Sequence, residues 1–240
     1  MSDHYAWLAW ASAFLIPWAA LFVFFPRIGQ TMWRTSLYTM PFGLTEPLFV
    51  PEYWNPPSLF DLAQRTGFDL ESLIFCFAIG GLASVAYDVL RNQRLISLDP
   101  TERAHPRHRL HYLTLLMPFM IFLALVFMPW NPIYPGIAAM IAGALATRCR
   151  PDIKNRTWVG GVLFLGIYVL FLQGLEFTQP GYIQRYWNLS SLTGISFLRM
   201  PLEELLFAAG FGLYWAGIYE HFTWRASTRH AGPRVPLPAP

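Results

Sequence analysis

Two adjacent carboxylates, Glu203 and Glu204, stand at the start of an apolar stretch long enough to form a membrane helix. Ionisable groups at the mouth of a membrane helix are costly, so a functional role is the first hypothesis. A glutamate in the first turn of any helix also complements the helix dipole and caps free N–H groups. For a single glutamate, both interpretations stay open.

The pattern occurs again in weaker form earlier in the chain, where Glu71 follows Asp69 and Leu70. Two more acids, Glu46 and Glu176, lie near the outer ends of the apolar spans that precede these motifs. The spacing predicts that all five glutamates lie at one membrane level, near the outer surface. The aromatic residues that flank them, each of which could also be an interface anchor, are Phe42, Phe49, Trp54, Phe177, Tyr182, Tyr186 and Trp187.

Acids in an apolar, aromatic pocket favour one kind of chemistry. A desolvated carboxyl group has a raised pKa and can act as an acid near neutral pH, while a second carboxylate beside it stays ionised as a base. Aromatic faces stabilise a developing cation. The combination suits proton-initiated ring closure of an apolar polyene, which ends with loss of a proton and needs neither redox change nor nucleotide.

The composition indicates which elements hold these acids. Of the 240 residues, 55% are hydrophobic and only 13% are charged, whereas a soluble domain has about 25% charged residues. We therefore predict an all-α integral membrane protein of the cell membrane, a polytopic bundle of about seven transmembrane helices. The predicted spans are 5–25, 31–50, 70–90, 110–130, 133–147, 158–177 and 201–222.

Loop charges predict the orientation. Most of the 17 Lys and Arg residues fall in loops 26–34, 91–109 and 148–157 and in the tail, and the opposite loops hold only Arg65, Arg185 and Arg199. This bias predicts an outer N-terminus and an inner C-terminus. Because the basic residues lie between apolar spans, the net charge of +3 indicates no nucleic-acid partner. We expect one membrane domain over 1–222 and a disordered, Pro-rich tail over 223–240.

The chain also aligns with itself. Tyr53-Trp-Asn55, Leu70-Glu71 and Tyr87-Asp88 correspond to Tyr186-Trp-Asn188, Leu202-Glu203 and Tyr219-Glu220. This predicts an internal repeat of parallel topology, with copies at about 30–95 and 157–222, and repeats of this kind commonly place the working site at their interface.

At Pro201-Leu-Glu-Glu-Leu-Leu-Phe207, at the loop Tyr186-Trp-Asn188 and at Glu176, the sequence resembles the lycopene cyclase domain family, small membrane cyclases unrelated to the flavin-containing ones. The chain looks like the form in which two copies are fused. The resemblance implies a lycopene beta-cyclase, an intramolecular lyase or isomerase, or a related carotenoid end-group enzyme with the Pro-Leu-Glu-Glu acids in its active site. The first copy departs from the motif, because Asp69-Leu-Glu71-Ser72 keeps one acid of the pair.

The resulting hypothesis assigns roles to two groups of residues. Glu203 and Glu204 form the acid/base pair, and Glu71, Glu176 and Glu46 assist it. The predicted substrate-binding residues are Trp54, Asn55, Tyr186, Trp187, Asn188, Pro201 and Phe207. We predict no cofactor and no metal. The expected partners are a lycopene-like polyene from the bilayer and membrane lipid, and a partner subunit or a homo-oligomer is left open.

The sequence gives less support to other classes of function. Retinal binding through a Schiff base fails because the only lysine, Lys154, lies in a loop. A non-catalytic carotenoid-binding or partner subunit, or a proton-coupled transporter, stays open, since intramembrane acids also form proton relays.

Three histidines, His105, His108 and His111, could bind metal, but we favour a lipid-headgroup contact for this basic stretch. Asp88 and Glu220 are expected to form interfacial ion pairs beside Arg91 and Arg225.

Overall fold

A computed structural model describes residues 3–92 and 95–227, and this part of the chain is mostly helical. Short antiparallel strand pairs, which the sequence did not predict, join residues 95–97 to 225–227 and residues 196–197 to 200–201. The α-helices are α1 (Ala6–Ala13), α2 (Leu15–Phe24), α3 (Pro26–Thr39), α4 (Leu62–Thr66), α5 (Leu70–Arg91), α6 (Pro100–Arg103), α7 (His111–Leu125), α8 (Ile133–Ala146), α9 (Lys154–Thr178), α10 (Tyr182–Tyr186) and α11 (Leu202–Thr223). The strands are β1 (Leu95–Ser97), β2 (Ser196–Phe197), β3 (Met200–Pro201) and β4 (Arg225–Ser227). Segments of 3-10 helix are Asp3–Tyr5, Met40–Leu48, Leu59–Asp61, Pro106–His108, Thr147–Cys149, Pro151–Ile153 and Leu189–Ser191.

Within the described residues, four helical stretches are long and apolar enough to cross a membrane, and Ile133–Cys149 is a shorter apolar helix. The four stretches are Asp3–Phe24, Leu70–Arg91, Pro106–Leu125 and Pro151–Thr178. Together with the composition they indicate a membrane protein. The seven-span count, the orientation and the repeat stay predictions.

The predicted second span, 31–50, differs most from a regular membrane helix. Its α-helix α3 ends at Thr39, and Met40–Leu48 continues as a 3-10 helix. Gly43 lies against the backbone of α5, where a Cβ atom would come within 2.7 Å of Leu73 N. This close approach fixes the segment that carries Glu46 against α5.

The two long central helices have ordinary helix-terminus signals. Asp69 caps α5 by accepting a hydrogen bond from Ser72 N, and the helix ends at Asn92 in the left-handed region. Helix α11 begins after Pro201 and ends at Trp224, also in the left-handed region. Beyond it, Arg225–Ser227 pairs with β1, so this part of the tail predicted to be disordered is a strand. Residues 228–240 lie outside the described residues.

Matched positions of the predicted repeat meet at the end of the bundle that holds the glutamates. Trp54 and Trp187 form an antiparallel bridge. Asn55 N donates to Tyr186 O at 2.8 Å, and Asn188 N donates to Tyr53 O at 2.9 Å. These reciprocal contacts are the kind that a two-fold relation between the copies would produce.

At the opposite end, Arg156 of α9 lies between Asp88 of α5 and Glu220 of α11. Its guanidinium forms an ion pair with each acid and donates to Ser84 O and Ala216 O, at 3.1 and 3.3 Å. The ion pairs predicted for these two acids are present, but they are buried and their partner is Arg156 rather than the neighbouring Arg91 and Arg225. Sequence proximity suggested those partners, whereas the helix packing brings a buried arginine from α9 between them.

Candidate active site

A cavity of about 360 Å³ lies among the 3-10 helix Met40–Leu48 and the helices α1, α5, α7, α8, α9 and α11. This volume falls in the range of small-molecule sites, roughly 300–1,000 Å³. Most of its wall is apolar or aromatic, and two carboxyl groups, Glu46 and Glu204, line it. The aromatic residues in the wall are Trp7, Phe42, Phe49, Tyr53, Trp54, Phe75, Phe119, Phe122, Tyr168, Trp187, Phe207, Phe211, Tyr214 and Trp215.

Glu204 accepts hydrogen bonds from three side chains, although it is only 3% exposed. Trp187 Nε1 donates to Oε1 and Tyr168 OH donates to Oε2, each at 2.6 Å. Tyr53 OH also donates to Oε1. An indole N–H can only donate, so the oxygen facing Trp187 must accept. Three hydrogen-bond donors to one carboxylate favour its ionised form.

Tyr53 is held in its neutral form. Burial, and then the neighbouring Glu204 carboxylate, raise the pKa of Tyr53 well above its ordinary value of 10. The phenol therefore keeps its proton and continues to donate to Glu204 throughout the physiological pH range.

Glu46 has the opposite surroundings. It is buried at 7% exposure, and among the described residues its Oε1 has no hydrogen-bond partner. The side chains of Trp54 and Ser72 lie beside its carboxyl group. Since no cation within residues 3–92 and 95–227 pairs with it, this buried carboxyl group is favoured in its neutral, protonated form.

Glu203 does not line this cavity, although it is adjacent to Glu204 in the sequence. Successive residues of an α-helix point about 100° apart, so the two side chains face different surroundings. Glu203 Oε1 accepts from Thr193 N at 2.9 Å and from Tyr134 OH at 2.8 Å. The residue lines a second cavity of about 240 Å³ with Arg199 and Pro201.

The side chains of two other predicted acids also lie outside the cavity and accept hydrogen bonds from backbone N–H groups of loops. Glu71 Oε1 accepts from Leu59 N at 2.7 Å. Glu176 Oε1 accepts from Gly181 N at 2.6 Å. Like Glu203, these side chains fasten the loops that close this end of the bundle.

The predicted substrate-binding residues divide into two groups. Trp54, Trp187 and Phe207 line the cavity. The others hold the loops: Asn55 and Asn188 form the reciprocal backbone bonds, Tyr186 OH donates to Asp3, and Pro201 belongs to β3 and the second cavity.

Two tyrosines at the centre of the site, Tyr53 and Tyr168, were not predicted as site residues. Tyr53 begins the repeated Tyr-Trp-Asn triplet, which pointed to the loop without indicating this side chain. Tyr168 lies within an apolar helix, where a phenol needs a hydrogen-bond partner. That requirement was the available signal.

The cavity reaches the outside of the bundle beside α7. Phe42 and Phe119 line it and are 40% and 53% exposed, with their rings stacked at a centroid distance of 6.3 Å. Exposed apolar rings at the edge of a membrane protein face lipid. The cavity is therefore accessible to an apolar ligand from the side of the bundle on which α7 lies.

Comparison with known protein families bears on residues 131–222, which match the family model for lycopene cyclase. No curated protein and no solved structure matches the chain. The matched segment contains α8 to α11 and supplies Tyr168, Trp187 and Glu204 to the cavity, whereas Tyr53 and Glu46 lie before it. The resemblance inferred from the Pro-Leu-Glu-Glu motif is confirmed, and the fused two-copy form stays a prediction. Residues 131–222 are thus similar to the lycopene cyclase family, a match over less than half of the chain that supports carotenoid cyclase activity.

Proposed function

We propose that the protein cyclises the linear ends of a lycopene-type polyene to beta-rings, as an isomerase that uses acid/base chemistry without net redox. One observation carries this proposal: two buried carboxyl groups with opposite hydrogen-bonding line one aromatic cavity. The family match supports the carotenoid substrate.

Glu46 is the proposed acid. Its Oε1 lies in the cavity wall without a hydrogen-bond partner, so a proton on this carboxyl group can be directed at a substrate double bond. An apolar site that excludes water keeps such a carboxyl group protonated near neutral pH, because its ionised form would be an unpaired buried charge.

Glu204 is the proposed base. Hydrogen bonds from Tyr53, Tyr168 and Trp187 favour its ionised form, which can accept the proton that a carbocation must lose. This assignment differs from the acid/base pair of Glu203 and Glu204 that the sequence predicted, since Glu203 does not line the cavity. Glu203, Glu71 and Glu176 are positioning residues in this proposal.

The steps balance in atoms and charge. The Glu46 proton adds to the terminal double bond of the polyene and leaves a tertiary carbocation. An internal double bond attacks that cation, forms the C–C bond of a six-membered ring and moves the positive charge into the ring. Glu204 removes a proton from the adjacent ring carbon, which restores a double bond. Proton exchange with solvent then returns both acids to their starting states.

The aromatic wall suits the cationic intermediates. Trp7, Trp54 and Phe75 pack around the acids, with Trp7 at centroid distances of 4.6 Å from Trp54 and 5.4 Å from Phe75. Aromatic faces attract a cation by up to about 2 kcal/mol when water is absent. The exposed edge at Phe42 and Phe119 supports entry of the polyene from the bilayer, one end at a time.

The finer membrane arrangement is also part of the proposal. Seven spans in the cell membrane, with the N-terminus outside, would place both acids near the outer surface. The reciprocal contacts of Trp54 and Trp187, and Arg156 between Asp88 and Glu220, support two related copies that meet along one axis.

Pigment analysis tests the function. The chain is expressed in cells that accumulate lycopene, and the carotenoids are separated by chromatography with mass detection. Cyclisation gives a product of unchanged mass with a spectrum at shorter wavelength. A gain of one water would indicate an end-group hydratase. Unchanged lycopene, with the protein present in the membrane, would contradict the proposal and favour a binding subunit or a transporter.

Matched variants assign the acids. Glu46→Gln and Glu204→Gln keep side-chain size but remove acid/base chemistry, so each should lower turnover by about 10²–10⁴-fold. Glu52→Gln is the control, since Glu52 is exposed at the same end of the bundle. Full activity of the Glu46 or Glu204 variant would remove that residue from the mechanism.

A further inference from the structure

Three histidines and a cysteine meet at the end of the bundle opposite to Glu204. His221 lies one turn from the end of α11, about 25 Å along the helix from Glu204. His111 begins α7, and Cys149 ends the 3-10 helix that follows α8. His108 comes from the short 3-10 helix before α7. Four separate segments thus supply one cluster.

The atoms of this cluster that can bind a metal have suitable spacing. Cys149 Sγ is 3.1 Å from His221 Nε2 and 3.7 Å from His111 Nδ1. Ligand atoms of His108, His111 and Cys149 all lie within 4.8 Å of one another. In a tetrahedral zinc site the corresponding separations are about 3.6 Å between sulfur and nitrogen and about 3.3 Å between nitrogens. His221 is not part of the group within 4.8 Å and joins the cluster through its contact with Cys149 Sγ; side-chain rotations would bring the four ligand atoms onto one ion.

The burial and hydrogen bonding of the cluster also point to a ligand. His108, His111 and His221 are all less than 10% exposed. Among the described residues, each has a ring nitrogen without a hydrogen-bond partner: His108 Nδ1, His111 Nε2 and His221 Nδ1. Buried imidazole nitrogens without partners are costly, and a cation bound at His108 Nδ1 would satisfy that nitrogen. In the other two rings the ion would bind the nitrogens that face Cys149, which are His111 Nδ1 and His221 Nε2.

We propose that His108, His111, Cys149 and His221 bind one zinc ion. A thiolate with imidazoles is the ligand set that zinc prefers, and four protein ligands leave no open position for substrate. The run from His105 to His111 did not by itself predict a metal site, because Cys149 and His221 lie far from it in the sequence. His105 does not join the cluster, since its Nδ1 accepts from Arg107 N.

The surroundings accommodate the ion. His108 Nε2 lies 3.7 Å from Glu102 Oε1, so His108 can bind metal through Nδ1 while a carboxylate faces its other nitrogen. Arg107 Nε donates to the same Nε2 at 3.4 Å, and this hydrogen bond would give way when Nε2 carries the proton. The nearby Arg150 forms bonds of 2.8 and 2.7 Å with Asp152, which reduces its repulsion of a cation. The His111 ring stacks on Trp224 at 3.9 Å and is held in place.

The role of this site is structural. The ion would fasten the start of α7 and the ends of α8 and α11, three helices that contribute walls of the cavity at the other end. Zinc loss should therefore lower thermal stability first and pigment turnover only as the fold weakens.

Metal analysis of the full-length protein tests the proposal. The protein is purified in detergent without chelator, reloaded with zinc sulfate, desalted and measured by elemental mass spectrometry. We expect one zinc per chain. Reloading with cobalt chloride after chelation should give the near-ultraviolet charge-transfer band of a cobalt–thiolate bond. Zinc should raise the melting temperature of the chelated protein.

Paired cysteine variants complete the test. Cys149→Ser should bind zinc at least about tenfold more weakly and lose the cobalt band. Cys76→Ser, which changes the other cysteine, should keep both. Wild-type protein that takes up no zinc, or that shows no cobalt–thiolate band, would overturn the proposal even if the Cys149 variant fails to fold. A cobalt band that persists in Cys149→Ser would overturn it as well.

Discussion

Arg156→Met should destabilise the protein strongly while leaving the cavity residues unchanged. Arg156, Asp88 and Glu220 are 3%, 1% and 1% exposed, so the guanidinium is a buried partner of two acids. Removing one partner of a buried pair costs about 3–5 kcal/mol, because the remaining charge is left unpaired. Methionine fills much of the same volume, which limits the contribution of a cavity. For a chain of this size the cost corresponds to a melting temperature lower by roughly 6–20 °C.

The assay is thermal unfolding of the purified protein in detergent, followed by the fraction that elutes as a monodisperse species after heating. The informative control is the triple variant Arg156→Met, Asp88→Asn and Glu220→Gln, which removes all three charges. Neutral polar groups cost less to bury than unpaired charges, so the triple variant should recover much of the lost stability. A single variant that melts like the wild type, or a triple variant that melts no higher than the single, would refute this reasoning.

Three further predictions concern the cavity. Tyr168→Phe removes one hydrogen-bond donor to Glu204. A hydrogen bond to a charged group is worth about 1.5–3 kcal/mol, so turnover in the pigment assay should fall by roughly 10- to 150-fold. Unchanged turnover would exclude this hydrogen bond from the mechanism. Gly43→Ala places a Cβ 2.7 Å from backbone atoms of α5, so it should lower the free energy of unfolding by about 1–3 kcal/mol and reduce turnover. The control is Gly166→Ala, whose Cβ meets no atom of the described residues within 4 Å, so melting temperature and turnover should stay unchanged. Because burial raises the pKa of Tyr53, its neutral form stabilises the fold below pH 10, and this contribution is lost as pH rises above the unfolded value of 10. Tyr53→Phe should therefore flatten the loss of stability above pH 10 in a melting-temperature series, and an unchanged slope would contradict the assignment.

Much of the helical architecture follows from apolar length, which the sequence displays directly. The 3-10 continuation at Met40–Leu48 was not predictable in the same way. It depends on Gly43 lying against α5, a contact between segments that are distant in the chain. Partner choice for Asp88 and Glu220 failed for a related reason, because Arg156 reaches them only once α9 is packed between α5 and α11.

The sequence identified the acidic residues of the site, but only the folded structure shows which of them line the same cavity. Glu203 and Glu204 are adjacent in the sequence, which predicted an acid/base pair, yet the helix turns Glu203 away from the cavity that Glu204 lines. Glu46 joins Glu204 there from another part of the chain. Likewise, the cluster of His111, Cys149 and His221 joins residues whose spacing in the sequence resembles no metal motif.

Proton transfer from Glu46 and to Glu204 is the central claim, and isotope incorporation tests it most directly. Membranes that contain the protein are supplied with lycopene in D₂O, and the mass of the cyclised product is measured. If carboxyl groups that exchange with solvent protonate the polyene, the product carries one deuteron for each ring closed, and Glu46→Gln membranes form almost no labelled product. A ring product without deuterium, or normal labelling in the Glu46→Gln variant, would contradict the account.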